Sequence, residues 1–342
     1  MSTNTLSKEE LLEQVKNYTK QENFKRDLGL AGNPKVSFLA QGEYNLNFLL
    51  EDQFKKYVLR LNTGSQMHLA NQIKYEYQAL ENLKSSTVTP KPLFLDDSCR
   101  DLPLGMLVME YLPGRSLIYE EDLVKAAEVL AKVHKVEIPK DHDLIIEKKP
   151  LSGIWEECKQ LIPTYLDSSL GKAEIKVFLE KMLKGLDQLR HQESSILELL
   201  ALSIVNTEVN SGNFIIDDKY NNFYLVDWEK PLLSTPLQDL SHFMVPTTTL
   251  WKTDYRMTEE DRDCFIRAYC EERGFSETKR DEIKEALKIF DKFSAMRGIS
   301  WSAMAWIEYQ QPGRLLKNED TFKKIEMYLQ EDFLKDIFPE FI

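Results

Sequence analysis

The sequence predicts an α+β protein: a leading helix and a small antiparallel sheet in the front third, then a larger, mainly helical region. Three observations predict it. "VSFLAQGEYNLNFLLED" and "FKKYVLRLN" read as strands, with Gly42 in or near their connection. Most of the chain beyond residue 114 carries apolar residues at helical spacing. Residues 203–229, "SIVNTEVNSGNFIIDDKYNNFYLVDWE", return to strand texture inside that helical region. The divide is placed between residues 110 and 111, giving an N-terminal part over 1–110 and a C-terminal part over 111–342.

The elements follow in order. In "SKEELLEQVKNYTK", Ser7 and Glu10 form a capping-box pattern ahead of apolar residues at helical spacing. Arg60 projects from the second of the two front strands. "QIKYEYQALENLK" reads as a helix with Ile73, Tyr77, Leu80 and Lys84 on one face, ended by Pro90 and Pro92. "LPLGMLVMEYLPG" reads as a buried strand running into a turn at Pro113-Gly114. "YEEDLVKAAEVLAKVHKV" and "IKVFLEKMLKGLDQLRHQ" are helices, and from about residue 258 the chain is helical again, with a break at Pro312-Gly313.

Composition removes several functions. The chain has 342 residues, 42% apolar and 29% charged, enough for a substantial core. A net charge of −12 argues against nucleic acid, which needs a basic surface, and permits a cationic small molecule. No apolar run reaches the roughly 18–20 residues of a membrane span, and the N-terminus lacks a signal-peptide layout. The expectation is a cytoplasmic protein with no membrane partner. Cys99, Cys158, Cys264 and Cys270 form no CxxC pair and read as free thiols. No GxG, GxxxxGK[ST] or GxSxG occurs, and none of the five histidines sits in a zinc spacing. "DHD" at 141–143 reads as a polar turn.

One constellation remains. Asn213 opens "FIID" and Asp227 closes "FYLVD", so an antiparallel hairpin brings two oxygen-bearing side chains to one end. Hard oxygens of this kind suit Mg²⁺, which keeps the rest of its shell for water and phosphate. Glu208 stands five residues before Asn213. Arg60 on a strand and Glu76 on the following helix supply a cation and a carboxylate. The competing reading has Asn213 capping a turn and Asp227 pairing with a nearby base.

The order of these pieces resembles the aminoglycoside phosphotransferase and choline kinase family of small-molecule kinases, over roughly residues 30 to 315. "FLAQGEYNLNFLL" is similar to that family's phosphate-covering turn, "YVLRLN" to its nucleotide-cation strand and "YEYQALENL" to its acid helix. "GMLVMEYLPGRSL", "LAKVH", "NTEVNSGNFIID", "YLVDWE" and "PLQDLSHF" resemble its hinge, following helix, catalytic loop, metal loop and supporting Asp segment. The resemblance implies a bilobal protein-kinase-like fold and an ATP- and Mg-dependent phosphotransferase. It implies that Gly42 lies in the phosphate turn, that Arg60 contacts the α/β-phosphates and that Glu76 orients it. The backbone at Glu110 and Leu112 would meet adenine, Asn213 and Asp227 would hold metal, and Asp239 would brace the catalytic loop. Glu208 falls at the base that accepts the acceptor hydroxyl's proton.

The family's loop reads H-x-D-x-x-x-x-N; here Asn206 and Glu208 replace His and Asp. Glu and Asp have similar intrinsic acidity (~4.3 against ~3.9), so the change is geometric. One methylene moves the oxygens by about an ångström, a misplacement that can cost on the order of 100-fold unless the loop leans back. Two readings follow: a working kinase with a lengthened base, or a nucleotide-binding pseudokinase with a sensing or scaffold role. The acceptor, a small and conceivably cationic alcohol, is expected beside Glu208, with Trp251, Asp254, Tyr255, Trp301, Trp306, Glu308 and Tyr309 as candidate lining. Trp301 and Trp306 lie about 140° apart on a helix and cannot share a face. Choline-like amines, amino sugars, other sugars and methylthio-sugars all stay open.

Overall fold

The computed structural model describes residues 7–311 and 319–341; the expected break at Pro312-Gly313 lies outside them. The chain forms two compact units. The first comprises Met1–Arg115, Val136–Leu144 and Ile215–Pro231; the second comprises Ser116–Lys135, Ile145–Phe214 and Leu232–Ile342.

In the first unit the elements run α1 (Lys8–Tyr18), α2 (Glu22–Leu28), β1 (Lys35–Gln41), β2 (Asn45–Glu51), β3 (Lys56–Asn62), α3 (Gln72–Leu83), β4 (Pro92–Asp96) and β5 (Met106–Glu110). The strands form an antiparallel sheet in the order β1-β2-β3-β5-β4. The capping box opens α1 as read: Ser7 Oγ accepts from Glu10 N, and Glu10 Oε2 accepts from Ser7 N at 2.7 Å. Three differences from the sequence reading have local causes. The run 36–52 holds two strands folded back at Gly42, so Arg60 lies on the third strand. Helix α2, ended by Gly29 at φ 63°, has only two turns and too little periodicity to read. Pro92 does not merely follow a helix; it opens β4, an edge strand, where a missing N–H costs no ladder bond.

Strand periodicity decides the sheet's two faces. Leu46, Phe48, Leu59, Leu61 and Val108 alternate onto one face and pack with Leu11, Val15 and Phe24 of α1 and α2. Asn47, Arg60 and Leu107, paired across β2, β3 and β5, fall on the other face. Helix α3 packs against β3, β4 and β5. Its buried stripe is Gln72, Ile73, Glu76, Ala79, Leu80 and Leu83. Ile73 and Leu80 belong to it as read, whereas Tyr77 is half-buried and Lys84 exposed. The stripe is therefore turned toward the polar residues Gln72 and Glu76, a rotation that hydrophobicity alone could not show.

The hairpin also belongs to this unit from Ile215 on. Strand Phe214–Asp217 lies beside Asn222–Leu225. Asp217 Oδ1 accepts from Lys219 N (3.1 Å), and Asn221 takes φ 53° in the turn. Leu225 N donates to Val88 O and Tyr75 Oη to Pro231 O, which tie both ends of the segment to the sheet unit.

The second unit is mainly helical. Helix Glu277–Gln310 packs against Pro150–Leu161, Leu237–Met244 and Glu319–Tyr328, and helix Tyr119–His134 packs against Glu259–Arg273. Phe243 sits among Tyr119, Phe214 and Phe265, with ring centroids 4.8–5.5 Å apart. A two-stranded ladder, Ser203–Val205 antiparallel to Leu232–Ser234, delivers the chain to Asn206. Among the described residues, no helix is long and apolar enough to cross a membrane.

Gly114 is the glycine the first unit needs most. Its φ is +152°, and a Cβ there would lie 2.5 Å from the Ile216 carbonyl oxygen. Gly114→Ala is expected to cost about 3 kcal/mol from strain and overpacking, lowering Tm by roughly 6–10 °C. Gly32→Ala, with nothing within 4 Å of its Cβ, should leave Tm in place in the same melts.

Candidate active site

In the first unit, Arg60 gathers the charge. Its Nε donates to Asn47 Oδ1 at 3.0 Å, and its Nη1 meets Glu76 Oε1 at 2.5 Å and Asp227 Oδ1 at 3.1 Å. Side-chain exposure rises outward through the cluster: 1% for Glu76, 10% for Arg60 and 39% for Asp227. Asp227 takes φ 65°, a conformation Asp tolerates. The next residue, Trp228, is buried, with its Nε1 donating to Leu225 O. Glu229 joins the group, its carboxylate bonded by Asn45 Nδ2 and its carbonyl by Gln72 Nε2.

Burial pushes the Glu76 carboxyl up, to about 7, against the lowering pull of the Arg60 guanidinium. Burial also disfavours the Arg60 charge, yet Glu76, Asp227 and Glu229 outweigh it and hold the guanidinium above its usual range. One guanidinium stands among three carboxylates in this cluster. Glu76 Oε2 is buried with no hydrogen-bond partner. Hard carboxylate oxygens of this kind suit a divalent cation. Among the described residues no group of three His, Cys, Asp or Glu side chains that could hold a metal ion occurs.

Gly42 lies in the β1–β2 turn, where its N–H donates to Asn45 O at 2.9 Å. A Cβ there would meet only that oxygen, at 3.8 Å, so packing does not demand glycine. Glu110 ends β5 with its N–H committed to Lys91 O; Leu112 is buried just beyond.

The second unit holds the loop 206–213. Asp239, fully buried, accepts from the backbone N–H of Asn206 (2.8 Å) and Thr207 (2.7 Å). It also meets His134 Nε2 at 3.2 Å, while His134 Nδ1 meets the Tyr269 hydroxyl at 3.1 Å. Burial lowers the His134 pKa despite Asp239, so the ring is neutral at pH 7 and carries its proton on the nitrogen facing the carboxylate. Thr207 sits at φ 72°, unusual for a β-branched residue and held by the bond to Asp239. Asn206 Oδ1 accepts from Glu208 N at 3.2 Å. Asn210 and Asn213 donate their side-chain amides to Glu208 O at 3.0 and 3.1 Å. Asn213 thereby commits its amide nitrogen to the loop.

Three residues to which the sequence reading gave no role complete this half: His134, Arg297 and Glu157. Arg297 Nη2 lies 3.6 Å from Glu208 Oε1, its Nε 3.2 Å from Glu157 Oε2, and its Nη1 donates to Thr207 O. His134 closes the "LAKVH" segment, which does not name its partner; no motif marks Arg297 or Glu157, each on a helix at a spacing that a solvated face would also show. Among the candidate acceptor residues, Trp251 and Trp301 meet edge to face, centroids 5.4 Å apart at 87°. Trp306 packs on Tyr165 instead, as the helical angle required. Tyr255 stacks on Tyr119 (5.1 Å, 3°). Glu308 is exposed, and Tyr309 stacks on Phe322. Asp254 pairs with Lys324.

The raised Glu76 pKa carries a definite sign. The folded chain holds this proton more tightly than the unfolded chain, so the stabilisation is complete below about 4.5 and lost as pH rises through about 7. In ligand-free thermal melts, Tm of the native protein minus Tm of Glu76→Gln should fall across that window, by an amount corresponding to on the order of 3 kcal/mol. A flat or rising difference would mean that the ion pair with Arg60 overrides burial.

Comparison with known proteins places this geometry. The profile of the phosphotransferase enzyme family matches residues 35–283. Acyl-CoA dehydrogenase family member 11 of Homo sapiens is 25% identical over 225 residues, covering 59% of this chain and 26% of that protein, so the chain spans about a quarter of that relative's length. Among solved structures, the Plasmodium vivax ethanolamine kinase superposes with TM-score 0.63 at 14% identity, covering 96% of this chain and 90% of that one. A spectinomycin phosphotransferase in complex with ADP and spectinomycin superposes with TM-score 0.58 at 14% identity, covering 96% and 98%. The small antiparallel sheet and larger helical region are those of protein-kinase-like phosphotransferases, and the chain belongs to the phosphotransferase enzyme family.

Proposed function

We propose that this chain is an ATP- and Mg-dependent kinase that phosphorylates a hydroxyl of a small amine-bearing molecule. The observation that carries the reading is the Arg60–Glu76–Asp227 cluster, a buried, fixed guanidinium with an outward carboxylate. Mg²⁺ would supply positive charge beside the phosphates, and the Asp227 carboxylate is the first unit's candidate ligand for it; in the second unit the candidate is the Asn213 amide oxygen. Arg60, oriented by Glu76 and Asn47, binds phosphate oxygens. Gly42, required by neither packing nor backbone angle, leaves its turn open to close phosphate approach. The Glu110 carbonyl and Leu112 N–H take the adenine edge.

In the second unit, Glu208 accepts the hydrogen bond and then the proton of the acceptor hydroxyl. Asp239 and Asn206 fix the backbone from which it acts. Phosphoryl transfer leans on orientation and electrostatics more than on base strength, so a carboxylate one methylene longer serves if it is held in place. The perpendicular faces of Trp251 and Trp301, with Glu157 near Glu208's partner Arg297, suit an ammonium group. The names of the ethanolamine kinase and spectinomycin phosphotransferase relatives point the same way. We assign the protein to the cytoplasm, where ATP and a reducing milieu fit its four free cysteines.

ADP release measured across a panel of amino alcohols and amino sugars tests the reading. Glu208→Gln should lower kcat about 100- to 10,000-fold while ATP affinity holds. Full activity of that variant on an identified acceptor would remove Glu208 from its role. Asp227→Ala should abolish the Mg²⁺ dependence of ATP binding in calorimetry; unchanged binding would remove the metal assignment.

A further inference from the structure

We infer that Arg297 is a positioning residue that clamps the Glu208 side chain and so makes the lengthened base usable; the inference rests on the kinase reading above. A glutamate at this place has one more rotatable bond than an aspartate, so a fixed backbone does not fix its carboxylate. The backbone here is fixed. Asp239 holds the N–H of Asn206 and Thr207, Asn206 holds that of Glu208, and Asn210 and Asn213 hold the Glu208 carbonyl. The loop therefore cannot lean back to absorb the extra methylene. The side chain itself has to be placed.

Arg297 is built for that placement. It stands mid-way along Glu277–Gln310, the longest described helix, and its guanidinium is largely buried, with 14% of its side chain exposed. Burial opposes its charge, but Glu157 and Glu208 together hold it above the usual range, so it is a permanent cation. Its planar fork serves three oxygens: Glu157 orients Nε, Thr207 O takes Nη1, and Glu208 Oε1 lies by Nη2 at 3.6 Å. It thus grips the base by its carboxylate and by the carbonyl of the residue before it. Trp301 stands one helical turn further on, and Glu308 two turns beyond that, on the same face. The clamp and the candidate acceptor-binding residues share one rigid element.

An aspartate at 208 would end about an ångström short of this reach, the span of one methylene, beyond an ion pair with Arg297. That difference gives the test. In the kinase reaction, Arg297→Gln should lower kcat about 30- to 100-fold with the KM for ATP unchanged. In the Glu208→Asp background the same change should have little effect, and Arg297→Lys, which keeps the charge but loses the fork, should recover only part of the rate. An equal loss in both backgrounds would show that Arg297 acts elsewhere and overturn the clamp. A second readout needs no substrate: Tm values of Glu208→Gln, Arg297→Gln and the double variant. A double-variant loss smaller than the two single losses combined supports the pair; strict additivity overturns it. Should Arg297→Gln not fold, Glu157→Gln, which frees the guanidinium from its second carboxylate, takes its place in both measurements with the same expected pattern. A protein that releases no ADP with any acceptor, yet shows the non-additive melts, would sink the kinase reading and leave the clamp standing.

Discussion

Asp239 has no access to water, and burying a carboxyl group there is costly unless its oxygens are supplied with hydrogen-bond donors. Two of its donors are consecutive backbone amides, those of Asn206 and Thr207, and the third is the neutral imidazole of His134. Satisfying one buried charge with adjacent peptide N–H groups dictates a path for the chain. Thr207 has to take a left-handed backbone angle, and Glu208 emerges from the turn at a set position. The asparagines on either side then close the remaining polar groups of that residue. Whatever chemistry the second unit performs depends on this arrangement.

The first unit solves a related problem differently. The buried stripe of α3 includes Gln72 and Glu76, which an ordinary helix would turn to solvent. Arg60, Asn47 and the carbonyl of Glu229 are the reason they face inward. The cluster is satisfied at its buried end, apart from one orphaned oxygen of Glu76, and presents the Asp227 carboxylate at its open end. Burying charged groups together is a poor way to gain stability. It is a reasonable way to hold charges in place in advance, since the protein then loses less when a ligand binds than it would in reorganising an uncharged surface.

Much of this was legible because it is local. The capping box at Ser7, the apolar run of β5, the helix 119–134 and the spacing from Asn206 through Glu208 to Asn213 are short-range patterns. The 100°-per-residue rule separated Trp301 from Trp306 correctly, because angle around a helix depends on nothing else. What could not be read depends on distant partners. Glu76 was placed on the right helix, yet the helix's true buried face differs from the one hydrophobicity marks, because Arg60 lies sixteen residues earlier and pulls it round. Pro92 masked a strand since the sequence does not say which strand is the edge. His134 and Arg297 lie 105 and 90 residues from the groups they serve, Asp239 and Thr207, and a histidine or arginine on an amphipathic helix carries no mark of such a partner.

The two departures in the catalytic loop, Asn for His and Glu for Asp, are better understood together than separately. Asn206 turns its oxygen onto the N–H of Glu208, and the imidazole facing Asp239 comes from His134 on another helix. A short Asx cap of this kind holds the backbone tightly but reaches no further than the backbone. A longer acidic side chain carries additional rotamer freedom, of the order of 1 kcal/mol or more to immobilise. A loop with a rigid backbone and a flexible acidic side chain is unbalanced unless a second element restrains the carboxylate, and the guanidinium of Arg297, anchored by Glu157, is such a restraint. For a loose phosphoryl transfer, in which the acceptor's proton departs late, the orientation of that carboxylate matters more than its strength as a base.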